Sequence, residues 1–328
     1  MTTSRIHYVF IAAVGVAASS CGGSKPPVIP GEIHALPSSG LHVAALRTAI
    51  EAGQGDEADN LVKQLTPAEK ASFSGRVLIG RVAELHGAGT DAKNAYEGVL
   101  GDEPGHLEAS LALGVRLLEE GDTKAALAVT DRGLGAHVNE PSLMLNRAYI
   151  VLASDGFPLA SEAFLAAEKA SGGSGVVRIS FASALVKSSR PKEAIEVLNR
   201  VATDARSAVG ELAEAGHELR QLSMFAAALV AFDRVVERRD GGEIRVERAL
   251  CKLGLRDGEA AIKEIEAGIR VEPTWAPLYF YKGGRLAEGH RWKDAFEAYE
   301  KYLLLAPNGP LADMAKKRLR MIAATLEK

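Results

Sequence analysis

The chain is poor in cysteine. Cys21 and Cys251 are the only two in 328 residues, too few for a disulfide scaffold or a cysteine-rich metal site. Aromatic residues are scarce at 5%, and with alanine plentiful this favours closely packed helices over a β-sandwich. Charge of one sign is lacking as well: 39 Lys and Arg stand against 42 Asp and Glu, a net charge of −3. That withholds the strongly basic face a nucleic-acid binder needs. At 47% hydrophobic and 25% charged the composition is globular, which excludes wholesale disorder. The length suggests about two domains, a rule that repeat arrays escape.

The N-terminus carries Arg5 and then an unbroken apolar run, Tyr8 to Ala18. The run falls well short of the ~20 residues that span a bilayer and has the length of a signal-peptide core. Small residues Ala18, Ser19 and Ser20 lead to Cys21. This order resembles a bacterial lipoprotein signal, with Ala18 where that class usually has Leu. The bland alternative is an uncleaved apolar terminus with an incidental cysteine. The resemblance implies residues 1–20 as signal peptide and Cys21 as the acylated first residue of the mature chain. Gly22 in place of Asp implies the outer membrane of a Gram-negative cell, facing the periplasm. Residues 21–38 hold Pro26, Pro27, Pro30 and Pro37 without helical period and read as a semi-extended tether.

Beyond the tether a period of 34 runs through the chain. Ala58, Ala92, Ala126, Ala160, Ala194 and Ala228 stand 34 apart, one step of 33 gives Ala261, and a last step of 34 gives Ala295. Twelve residues earlier stand Leu46, Gly80, Gly114, Ala148, Ala182, Gly216 and, at the end, Gly283. Four residues later stand Val62, Tyr96, Thr130, Phe164, Leu198, Phe232, Ile265 and Tyr299. Pro104, Pro273 and Pro307 close three of the units. Each unit holds two helical patterns and a turn. A small residue in the first helix lets the antiparallel partner approach, the alanine fills the reciprocal place, and the large residue four further on packs to the core.

These columns resemble the tetratricopeptide repeat (TPR). The resemblance implies an all-α chain, a superhelical solenoid of about eight helix-turn-helix repeats over residues 39–309, with a capping helix over 310–328. The units read 39–72, 73–106, 107–140, 141–174, 175–208, 209–242, 243–275 and 276–309. In the short seventh unit the stripe Val246, Ala249, Leu250 and Leu253 keeps its register. The missing residue is therefore expected at the turn near Gly254 to Gly258, which places Leu250 in the small-residue column. In the cap, Leu311, Ala315, Leu319, Ile322 and Leu326 share one side and Lys316, Lys317 and Arg320 lie elsewhere.

The resemblance also implies a concave groove lined by the fifth, ninth and twelfth places of each unit. On this sequence those places hold Val77, Arg81 and Glu84, then Leu111, Val115 and Leu118, then Leu145, Tyr149 and Leu152, then Ile179, Ser183 and Val186. The flanks are Val43, Arg47 and Ile50 on one side and Ala213, His217 and Arg220 on the other. The apolar fifth place argues against a clamp for an acidic tail and for an apolar segment of a protein partner, with Tyr149 as anchor. The same aliphatic residues would equally serve helix packing.

Nothing in the pattern points to catalysis. The eight histidines include no i, i+4 pair of a helical zinc site. Gly87 to Ala92 matches a dinucleotide fingerprint in letters only, because it occupies a turn after a helical pattern and not after a strand. Cys251 points into the groove in one register and is buried in the other. The expectation is a non-catalytic scaffold with no cofactor, metal, nucleic acid or small-molecule substrate. It would be anchored by its lipid in the cell envelope and serve assembly of a secretin, pilus or outer-membrane complex. The alternative is an accessory subunit of a cell-wall enzyme or transporter.

Overall fold

The computed structural model describes residues 41–326, which form eighteen α-helices and, among these residues, no strand. The signal segment, Cys21 and the tether lie outside the described residues. No helix among the described residues is long and apolar enough to cross a membrane. The chain separates between Val177 and Arg178 into two compact units, and each is taken by itself.

In the first unit, α1 (Leu41–Glu51) pairs with α2 (Gly55–Gln64), α4 (Phe73–Leu85) with α5 (Gly89–Asp102), α6 (Leu107–Glu119) with α7 (Thr123–Ala136), and α8 (Pro141–Ser154) with α9 (Phe157–Ala170). One element has no counterpart in the repeat. The short α3 (Pro67–Ala71) is set off by a capping box in which Thr66 and Glu69 satisfy each other's backbone N–H groups. The unit boundary falls inside α10 (Gly175–Lys187).

The second unit continues with α11 (Pro191–Thr203), then the pairs α12 (Val209–Gln221) with α13 (Phe225–Arg238), α14 (Gly242–Gly254) with α15 (Gly258–Val271), and α16 (Pro277–Glu288) with α17 (Trp292–Leu305). It ends on α18 (Ala312–Leu326), which packs on α17.

The turns within pairs explain the period. They place one residue in the left-handed region at Gly53, Gly87, Gly121, Ser189, Ser223, Arg256 and His290, and Asp122 and Asp257 then cap the next helix by accepting backbone N–H bonds at 2.9 Å. Every member of the alanine column is fully buried. Leu46, where other repeats have a small residue, is itself fully buried with the smaller Val62 packed on the same cluster, so the two places trade volume.

Two expectations are corrected. The residue missing from the seventh repeat is not lost at the turn near Gly254: Leu255–Asp257 is a full three-residue turn with the same left-handed geometry at Arg256. The loss lies in the linker Arg239–Gly241, three residues where Glu103–His106 and His137–Glu140 have four. Gly242 allows the shortened path, since a β-carbon there would stand 2.5 Å from the Trp275 ring. Ala249, buried, therefore holds the small-residue column, and Leu250 stands half-buried beside it. In the cap, Ala312, Ala315 and Ile322 are buried and Leu319 packs with them, but Leu326 is exposed at the helix end.

Candidate functional site

The first helices of the pairs share a face in the first unit. Arg47 on α1 reaches Glu108 on α6 at 2.9 Å, and α6 packs directly on α8. On that face Leu111 and Val115 of α6 and Leu145, Tyr149 and Leu152 of α8 are half-buried. Tyr149 lies edge-on to Phe164, ring centres 5.1 Å apart, and packs on the core cluster that holds Tyr96, Leu117 and Ile150. Its ring is thereby held in place by packing, as an anchor requires.

Other expected groove residues do not line a surface. Val77, Leu118 and Ile179 are buried, as is Ile50, because neighbouring helices close over the fifth or twelfth place where the local packing is tightest. Ser183 and Val186 on α10 are half-buried. The basic flanks are neutralised within the chain: Arg47 by Glu108, and Arg220 by Glu247 at 2.6 Å with His217 beside it.

Glu84 is half-buried on α4, beside the buried Tyr96 hydroxyl, which makes no regular hydrogen bond. Burial pushes its carboxyl up to about 7; Glu119 adds to the rise, and Tyr96, Arg81 and Arg116 oppose it. Burial likewise raises the Tyr96 phenol.

In the second unit Leu250, Leu253 and Phe280 stand half-buried on α14 and α16, which pack on each other. In the sequence the groove places were followed only through the sixth unit, and the short step set on the wrong side of α14 put Leu250 in the small-residue column. Counting from Gly242, Leu250 and Leu253 take the ninth and twelfth places.

No described group of histidine, cysteine or carboxylate residues could hold a metal ion. His106 caps α6, His137 bonds the Gly105 carbonyl at 2.9 Å, His86 meets Asp59 at 3.1 Å, and His290 lies edge-on to Trp292. The fingerprint segment at Gly87 follows helix α4. Cys251 is fully buried, and burial pushes its thiol up to about 11, away from nucleophilic use at neutral pH.

No family model matches the sequence, and no curated protein does either. Solved structures do. The chain is similar to the crystal structure of yeast Tom70, with a TM-score of 0.53 at 12% identity, over 93% of this chain and 68% of that one. It also matches a tetratricopeptide repeat protein from Parabacteroides merdae (TM-score 0.39, 15% identity, 87% of this chain and 99% of that one). A third match is the APC/C hetero-tetramer Cut9–Hcn1 (TM-score 0.43, 13% identity, 87% of this chain); there the chain spans 56% of the other's length. With the seven helix pairs described above, the Tom70 likeness defines the fold class: helix-turn-helix repeats of the TPR type.

Proposed function

We propose that the chain is a non-catalytic scaffold that offers the α6–α8 strip to an apolar segment of a protein partner. One observation carries this reading: five apolar side chains, Leu111, Val115, Leu145, Tyr149 and Leu152, stay only half-buried on two packed helices that also contribute Ala112, Leu113, Leu117 and Ile150 to the core. These five side chains offer no cation, so a segment with apolar residues at helical or extended spacing fits the strip better than an acidic tail. Leu145→Asp and Tyr149→Ala, each checked for an unchanged helical spectrum, should weaken partner binding by about 2 kcal/mol or more. Binding indifferent to both removes the strip from function.

The site of action follows from the N-terminal reading. The apolar run Tyr8 to Ala18 and the small residues before Cys21 support a lipid on Cys21 and a place in the bacterial envelope, on the outer membrane facing the periplasm. There the scaffold would serve assembly of a secretin, pilus or outer-membrane complex. Washed at high salt, which releases protein held only by surface charge, Cys21→Ser should move from the membrane to the soluble fraction, and continued sedimentation with membranes under that wash would refute a lipid anchor.

A further inference from the structure

The terminal helix of a repeat array needs a polar outer face, because no further repeat covers it. Helix α18 meets that need with cations, yet on the same face it also exposes two large apolar side chains. Its inner side, Ala312, Ala315, Leu319 and Ile322, packs on the last pair. On the outward stripe Met314 and Met321 stand two turns apart, 50% and 54% exposed, with Lys317 between them. Lys316, Lys317, Arg318 and Arg320 are all exposed, and Asp313 is the single carboxylate on the helix, 3.7 Å from Lys316. Lys317, Arg318 and Arg320 make no ion pair among the described residues. At helical spacing Met314, Lys317 and Met321 form the crest, and Arg320 and Arg318 flank it on either side.

We propose that the outer face of α18 docks on an anionic membrane surface. The two methionine side chains enter the headgroup boundary and the cations meet lipid phosphates beside them. Charge complementarity selects the partner: with Asp313 spent on Lys316, the three unpaired cations Lys317, Arg318 and Arg320 call for a surface of negative charge. Shape selects its form. The cations fan around a convex, unrecessed ridge, which a flat lipid surface meets at once, whereas a peptide would find no walls to lie between. The proposal does not depend on the α6–α8 strip or on the lipid at Cys21; such a lipid would only raise the local concentration of α18 at the membrane.

The test uses the chain from residue 21 onward with Cys21→Ser, so that the apolar run Tyr8 to Ala18 cannot itself enter lipid, floated with phosphatidylcholine vesicles that either lack or contain about a third phosphatidylglycerol. The phosphatidylglycerol vesicles should bind more protein, and the increment should vanish at high salt. Lys317→Glu with Arg320→Glu should cut the anionic-vesicle partition by about tenfold or more. Met314→Gln with Met321→Gln should lower it severalfold. Lys124→Glu with Lys192→Glu, exposed positions on α7 and α11, changes net charge equally and should leave it intact. All these side chains are exposed, so the helical spectrum should not change. Equal binding to both vesicle types overturns the proposal, and so does equal loss from the control pair. An acidic peptide that binds α18 while the vesicles do not also overturns it.

Discussion

The ring of Phe232 fills the space that a β-carbon on Gly216 would need, its nearest atom 2.5 Å from that point. The relation recurs with the repeat. Tyr96 stands 2.6 Å from the corresponding point on Gly80, and Tyr299 stands 3.0 Å from that on Gly283. Each pair is a missing side chain answered by a large one sixteen residues on, across the two helices of one repeat. Gly216→Ala should therefore destabilise by about 1–3 kcal/mol, although alanine is the better helix former by about 1 kcal/mol. Gly135→Ala on α7, with nothing within 4 Å of its would-be β-carbon, should stabilise by about 0.5–1 kcal/mol. Urea denaturation of both variants decides the matter: a Gly216→Ala protein as stable as the parent contradicts the packing.

The raised carboxyl of Glu84 makes stability fall as pH rises. Its folded value of about 7 stands above the ordinary 4.5, so the folded chain holds a proton that the unfolded chain has released between these limits. The contribution is complete below pH 4.5 and is lost as pH rises through 7. Glu84→Gln, which cannot ionise, should remove the slope and stabilise the protein by about 1–3 kcal/mol at pH 8. The effect is read from denaturation midpoints at pH 5 and pH 8, and a mutant that keeps the parent's slope shows that another group causes it.

The shortened linker before α14 is braced by charge. Arg245 bridges Asp240 at 2.7 Å and Glu264 at 2.8 Å, while Arg248 joins Glu264 at 2.7 Å and also pairs with Asp233. Burial works against the Glu264 anion, but the Arg248 and Arg245 donors outweigh it and hold the carboxyl below its usual value; Arg245 does the same for Asp240. Glu264→Gln leaves two half-buried guanidinium groups facing a neutral amide and should cost about 1–3 kcal/mol. The stability lent by Glu264 and Asp240 is present above their ordinary values and lost as pH falls through the lowered ones. Acid unfolding should accordingly begin at higher pH in the mutant, and an unchanged acid midpoint shows the network to be idle.

The helix pairs were legible in sequence because one physical demand recurs: a buried alanine fits only where two helices touch. Ala58 through Ala295 mark that place in all eight repeats, and all eight are buried. The step of 33 was equally visible, but its location was not. The stripe Val246, Ala249, Leu250 and Leu253 suits α14 in either of two registers, and only the three-dimensional path through Gly242 against Trp275 separates them. Exposure on the first helices was less legible still. Val77 and Ile179 share the fifth place with Leu111 and Leu145, yet the first two are buried and the others half-buried. Sequence gives the direction of a side chain from its own helix, whereas burial depends on how closely the next helix approaches.

The thiol of Cys251 offers a direct reading of whether α14 stays closed. It is fully buried, and burial, acting against the weaker pull of Arg220, Arg248 and Lys252, pushes it up to about 11. At pH 8 only about one thiol in a thousand is then ionised, against roughly a quarter at an unperturbed cysteine. In a chain carrying Cys21→Ser, a disulfide reagent at pH 8 should react with Cys251 only at the rate of local or global opening, and completely once denaturant is added. Conservative filling should matter little there: Cys251→Ala should cost about 1 kcal/mol and leave the helical spectrum unchanged, since a buried free cysteine acts as a small apolar side chain. Labelling of the native protein at the speed of a free thiol would place Cys251 at the surface and with it overturn the register of α14 from which Ala249, Leu250 and Leu253 take their places.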